Sequence, residues 1–366
     1  MALLCTSPPL VNPVSLSELK DMLRIDQSDT SQDAVLNSLN VAATSYCEAV
    51  TKRRFVQQQW TLYLDYFPGS FSHKLAGQYF SAPFITGGNA VFSGLRYAVV
   101  LPYPPVQSVT QFNYLNTGGT STSLITTPVN IASVSNPLNG PVVVTTAAPH
   151  NLITNSSVTI TGNAPLVTLC GGVASQQVTV LDPSTFVLTF IQGTGTTITG
   201  TGSIVGYNFV LDTLTQPARL MPVFGSMFPV SRIVSNAIQI VFNVGYASPV
   251  AVSLTAGSGT VGTASFTSAN VGQPISVPGA GVNGGCLNTV VNSVAGSVAT
   301  LRDLPSTSVS TTALLVNYGS PQHWELAKTA IKFLVNSWFV ERLPNFNADT
   351  SACVARVLGP VMDKRY

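Results

Sequence analysis

The chain has 366 residues, of which only 8% are charged, and a formal net charge of +2. An ordinary soluble domain carries roughly 25% charged residues, so much of this surface must be hydroxyl, amide and backbone. The small net charge excludes an electrostatic footprint for nucleic acid. A hydrophobic content of 45% excludes a disordered chain, and no run approaches the roughly 18 apolar residues of a membrane span.

In chain order, Met1–Pro13 lacks the basic start and long apolar run of a signal peptide. Ser15-Leu16-Ser17-Glu18 is a capping box that opens a short helix with Leu16, Leu19 and Leu23 on one side. A second helix is predicted to start near Ser31–Asp33 and run to about Thr51. Its apolar stripe is Val35, Leu39, Ala42, Tyr46 and Val50. The basic cluster Lys52-Arg53-Arg54 falls at that helix's end, where it complements the helix dipole. Strands are predicted at Gln58–Asp65, Tyr97–Leu101, Val109–Leu115, Tyr207–Asp212 and Ile238–Asn243. The last long helix is predicted from Ser320 as N-cap and Pro321 at its first position. Trp324, Ala327, Ile331, Leu334, Val335 and Trp338 give it a wide apolar stripe, and Pro344 lies beyond its end. A short helix near Ser351–Leu358 precedes the tail.

Two windows are almost free of charge. Between Ile125 and Gly206 the only charged residue is Asp182, and between Ala247 and Tyr318 only Arg302 and Asp303 appear. Both are dense in Thr, Ser, Val and Gly with short alternating runs. The first has Val142–Thr146, Ser157–Thr161, Gln177–Leu181 and Thr185–Phe190, and the second Pro274–Val277, Thr289–Val294 and Ser297–Leu301. Such runs, bounded by turn residues, imply small antiparallel β modules. Tyr246-Ala247-Ser248-Pro249 precedes the second window and Tyr318-Gly319-Ser320-Pro321 follows it. The repeat implies one turn-and-cap motif duplicated when a module was inserted.

Residues able to carry chemistry are sparse. His73, His150 and His323 share no metal-ligand spacing and are expected to be turn or surface residues. Asp65, Asp182 and Asp212 stand singly, whereas a glycosidase needs two carboxylates across a cleft. The nucleophile elbow Gly-x-Ser-x-Gly is absent. Gly193-Thr194-Gly195 and Gly257-Ser258-Gly259 have no helix behind them to bind phosphate, so they are expected to be hairpin turns. Cys5, Cys47, Cys170, Cys286 and Cys353 fit neither a disulfide framework nor a zinc knuckle, and are expected as free thiols made in a bacterial-type cytoplasm. Trp324 and Trp338 share a helix face that serves either core packing or a subunit contact, since aromatics are enriched at interface centres.

Several segments, taken together, resemble a known family. Val14–Lys20 followed by Leu23-Arg24-Ile25-Asp26 is similar to the opening of phage head–tail connector (adaptor) proteins. Ala49–Phe55, Trp60–Asp65, Leu101–Val109, Gln216–Leu220, Val241–Tyr246 and the helix from Pro321 follow in that family's order, with Tyr103 where the family often has Arg. Residues 128–206 and 249–316 resemble small β modules of phage structural proteins.

The resemblance implies an α+β fold: a mainly helical connector core with a β-hairpin or small-sheet portion, plus two inserted all-β domains. The core would comprise 1–127, 207–248 and 317–366, and the inserts 128–206 and 249–316. It implies a non-enzymatic virion protein without cofactor or metal, located at the neck and assembled in the host cytoplasm. Its expected partners are further copies in a ring, usually of twelve, the portal protein, and a stopper or tail protein. DNA would pass through the lumen without sequence-specific binding, and no membrane is involved. Val354, Arg356, Leu358, Val361, Met362, Lys364, Arg365 and Tyr366 are expected to reach the portal, and Tyr46, Trp324, Ile331 and Trp338 to lie between subunits. Two alternatives stand beside it: a host-attachment or carbohydrate-binding protein working through the β modules, and a polysaccharide-degrading enzyme.

Overall fold

The structure, a computed structural model, describes residues 2–68, 98–173, 175–262, 266–296, 298–341 and 354–361. Strands make up 38% and helices 20% of the described residues. The expected mainly helical core is therefore overturned: the protein is mostly β. The strands missed in the sequence explain the difference. Ala2–Ser7, Ala247–Leu254 and Val309–Val316 are all strands, yet none shows strict alternation. Val309–Val316 ends in four consecutive buried residues, a pattern that periodicity alone cannot assign.

The chain forms two compact units. The first comprises Met1–Leu4, Thr61–Pro102 and Val109–Phe242, and the second Cys5–Trp60, Tyr103–Ser108 and Asn243–Tyr366. A five-stranded sheet has the order Ala2–Ser7, Gln58–Leu64, Ile238–Val244, Val106–Leu115 and Ser121–Ser123.

In the first unit, six strands between Val129 and Tyr207 close into a barrel. Neighbours around it are Thr185–Gln192, Pro141–Thr146, Val129–Ser135, Ser203–Tyr207, Ser157–Thr161 and Ser175–Asp182. Alternate residues point inward, so Val142, Val144, Val158, Ile160, Phe186 and Ile204 fill the interior while Thr and Ser, buried Thr146 apart, face out. The core of this barrel is drawn from its own residues and from a short helix, Ala164–Leu169, capped by the Asn163 side chain. Elsewhere in this unit Phe67 stacks on Phe228 at 4.7 Å and meets Phe112 at 5.9 Å.

The second unit carries the helices α1 (Leu16–Leu23), α2 (Asp33–Thr51) and α3 (Pro321–Glu341). It also holds a six-stranded sheet in the order Ala247–Leu254, Val309–Val316, Pro274–Val277, Leu287–Ala295, Val298–Leu301 and Thr260–Val261. The capping box of α1 forms as expected: the Ser15 hydroxyl accepts from Glu18 N–H at 3.2 Å, and Ser15 N–H donates to Glu18 Oε2 at 3.1 Å. The Ser320 carbonyl accepts the first bonds of α3, from His323 and Trp324.

The two Tyr-x-Ser-Pro segments do not fold alike. Ala247-Ser248-Pro249 lies in the edge strand Ala247–Leu254, a place where a missing N–H is tolerated. In the second copy Gly319 takes a φ of +69°, and any Cβ there would sit 2.6 Å from the Tyr246 ring. Only the second copy opens a helix, so the turn-and-cap role belongs to Tyr318–Pro321 and not to Tyr246–Pro249.

Candidate assembly surface

The helices depart from the usual amphipathic arrangement, in which charge faces water, by burying several of their charged side chains. On the inner side, Glu18 of α1 is an ion-pair hub. Its Oε1 lies 2.7 Å from Lys328 Nζ and 3.2 Å from Lys332 Nζ, both on α3. The Glu18 and Lys328 side chains are only 4% and 2% exposed. Asn288 of the sheet donates to Glu18 Oε1 at 3.0 Å. Lys328 in turn donates to Ser276 Oγ at 3.3 Å and Asn288 Oδ1 at 3.2 Å. Burial opposes ionisation of Glu18, but the two ammonium groups and the hydrogen bonds outweigh it and hold the carboxyl below its ordinary range.

A second buried carboxylate, Glu48 of α2, accepts from Phe55 N–H at 2.9 Å and from Gln58, and pairs with Arg54 at 3.3 Å. Burial dominates here and raises its pKa. Asn40 of the same helix donates to the Val14 carbonyl at 2.8 Å, and Thr51 to the Cys47 carbonyl.

These polar residues rotate α2 away from the orientation that its apolar pattern predicts. The core side is Leu36, Asn40, Ala43, Thr44, Cys47, Glu48 and Thr51. Leu39, Tyr46 and Val50 pack on its margin, whereas Val35 is 49% exposed and Ala42 is exposed. Each polar core residue but Thr44 has a hydrogen-bond partner here, which is why the interior tolerates it.

The outer side of α2 has no charge. Its exposed positions from Ala34 to Ala49 are all Ala, Val, Asn or Ser, including Val35 and Val41 (52% exposed). The outer side of α3 holds Phe333 and Val340, 49% and 68% exposed, among Gln322, Thr329 and Asn336. Among its described exposed side chains the single charge is Glu325. The apolar stripe predicted for α3 is buried throughout, from Trp324 to Trp338. Phe333 and Val340 are therefore apolar groups left over after the core is full.

The residues expected between subunits divide accordingly. Trp324 and Ile331 are 0% exposed and Trp338 7%, so they fill the core of the chain itself. Tyr46 is half-buried at its edge. Of the residues expected to reach the portal, Val354, Leu358 and Val361 pack into this same core, while Arg356 is exposed. Met362, Lys364, Arg365 and Tyr366 lie outside the described residues. Residues 354–358 form the expected short helix. The following Val361 carbonyl accepts from Arg53 Nε at 2.6 Å, and Arg53 Nη1 donates to the Tyr246 hydroxyl at 2.9 Å.

The basic cluster is thus mostly turned inward. Arg53 is buried, and Arg54 lies over the Tyr103 ring at 3.9 Å and the Trp60 ring at 5.0 Å. Lys52, with a left-handed backbone, caps α2. The sequence marked Tyr103 only as a departure from the connector pattern; the stacking supplies its role, since an Arg there would repel Arg54 rather than cradle it.

His150 lies in a loop between strands, as expected, but is buried there: it is 1% exposed, its Nδ1 accepts from Leu152 N–H, and its ring meets Phe186 edge-on. His323 packs edge-on to Tyr246, and His73 lies outside the described residues. Asp212 is tied to Arg219 at 2.5 Å, and this hydrogen bond holds its pKa down at about 2. Among the described residues no group of three or more His, Cys, Asp or Glu is placed to hold a metal ion. Cys5, Cys47, Cys170 and Cys286 are free thiols. Cys47 and Cys286 are pushed up to about 12 by burial; Cys353 lies outside the described residues.

No family model and no curated protein matches the sequence. A solved structure that it resembles is the virion of a native gene transfer agent particle. The likeness has a TM-score of 0.32 and 13% identity, over 67% of this chain and 72% of that chain.

Proposed function

We propose that the chain is a non-enzymatic structural subunit of a tailed-phage virion, assembling as a ring at the head–tail interface. The ring docks on the portal, bridges to the next neck or tail protein, and surrounds the DNA exit channel. The observation that carries this reading is the outer side of α2 and α3, partly apolar and with Glu325 as the single charge among its described exposed side chains. A helix that keeps its ion pairs inside and turns Val35, Val41, Phe333 and Val340 outward is built to be covered. The order of connector-like segments in the sequence supports the same reading.

The sites follow from this surface. Subunit contacts use Val35, Val41, Phe333 and Val340, with Tyr46 at the margin. Trp324, Ile331 and Trp338 support the surface from beneath. Portal contact falls to the chain beyond Val361 together with Arg356, because Val354, Leu358 and Val361 are held in the core.

Electron microscopy of the purified protein, alone and mixed with portal, tests the proposal. A closed ring of about twelve copies, stacked on the portal, is expected. A stable monomer in both samples would overturn it.

A further inference from the structure

A ring of more than two identical subunits joins two different patches at each junction, because its contact is heterologous. The outer side of α2 and α3 supplies one patch. The second unit's helices thus need a complement elsewhere on the chain, and the segment Pro222–Val234 of the first unit has the character required. Phe224 is 85% exposed, Met227 70%, Val230 57% and Ile233 68%.

This exposure belongs to a braced segment. Phe228 is buried and stacks on Phe67 at 4.7 Å, and Val223 is 1% exposed. Arg232 N–H donates to the Leu115 carbonyl, Ser231 bridges to Asn116, and the Phe224 carbonyl accepts from Asn155. The segment is thus pinned at several points along its length while four large apolar side chains are held outward.

The charges match as well. The segment has one charged residue, Arg232, which is exposed. The outer side of α3 has Glu325 as its one charge among described exposed side chains. Neither is in an ion pair with another described residue. Each patch therefore sets large exposed apolar side chains beside a single exposed charge, and the two charges are opposite.

We propose that Pro222–Val234 of one copy docks on the outer side of α2 and α3 of the next, with Arg232 facing Glu325. The proposal rests on the ring reading above and specifies its junction. Its complementarity is that of an interface whose charge pair fixes register while apolar side chains supply most of the contact.

Charge reversal tests it, with particle mass followed against concentration in the full chain. Arg232→Glu and Glu325→Arg are each expected to weaken association by about tenfold or more, and the double variant is expected to recover most of the loss. Met227→Asp, which no charge partner rescues, is expected to leave monomers. Rings of normal strength in the single variants, or a double variant no better than either, would overturn the junction while leaving the ring reading intact. A wild-type chain that stays monomeric would overturn both.

Discussion

The two nearly charge-free windows both fold into six-stranded β structures, yet they are joined to the rest of the chain in different ways. The barrel between Val129 and Tyr207 fills its interior from its own strands and short helix. It meets its neighbours through backbone and side-chain hydrogen bonds, such as Gly206 N–H to Thr126 Oγ1 and Ser156 Oγ to Asn208. The sheet between Ala247 and Val316 has a core of its own, but it also gives Ala247, Leu314 and Val316 to the core beneath the helices. Asn288 and Ser276 of that sheet complete the hydrogen bonding of Glu18 and Lys328. A low charge density therefore does not by itself mark a detachable module. What matters is where the buried charges outside the window find their partners.

The largest expected effect separates the two windows. Removing residues 249–316 takes Leu314 and Val316 from the helical core and bares the Glu18 and Lys328 side chains. The helical signal in circular dichroism is expected to fall and unfolding to lose cooperativity. Removing 128–206 is expected to leave that signal in place. Equal tolerance of both deletions would erase the distinction.

Next in size is the ion-pair hub. Glu18→Ala leaves Lys328 buried without its counter-charge and is expected to cost about 3–5 kcal/mol in denaturant unfolding. The pH dependence has a definite sign. Because the folded carboxyl lies below the ordinary value of 4.5, Glu18 contributes fully above that pH, and the contribution is lost as pH falls through the folded pKa. Glu18→Gln should accordingly flatten the fall of Tm with acidification, and an unchanged acid profile would remove Glu18 from its role. In the barrel, Phe186→Ala empties a site that is 0% exposed and is expected to cost about 3 kcal/mol. The loss should appear in the barrel's amide exchange and leave protection in α2 and α3 unchanged.

How much of this was legible in the sequence differs between the same regions. The barrel strands Ser157–Thr161 and Thr185–Gln192 show the alternation that betrays a half-buried strand. The buried stripe of α3 and the box at Ser15 were equally plain. The core side of α2 was not, since Asn40, Glu48 and Thr51 become interior residues only through partners at Val14, Phe55 and Cys47. Apolar periodicity is blind to such pairing. It therefore assigned Val35 and Ala42 to the core when they face outward. The mostly β character was hidden for a related reason. Ala247–Leu254 contains Pro249, which suggested a helix cap, and only the sheet order reveals an edge strand. The candidate surface was visible in neither pattern. It emerges from what the filled core leaves out.

The smallest expected effect on stability bears most directly on function. Val41→Asp and Phe333→Asp alter side chains that are about half exposed, so folding stability is expected to change by about 0.5 kcal/mol or less. Particle mass of the full chain, measured for wild type and for these two variants at equal concentration, tests the central claim. The account predicts a ring for wild type and monomers with unchanged circular dichroism for both variants. Rings from the variants, or a monomer from the wild type, would contradict it.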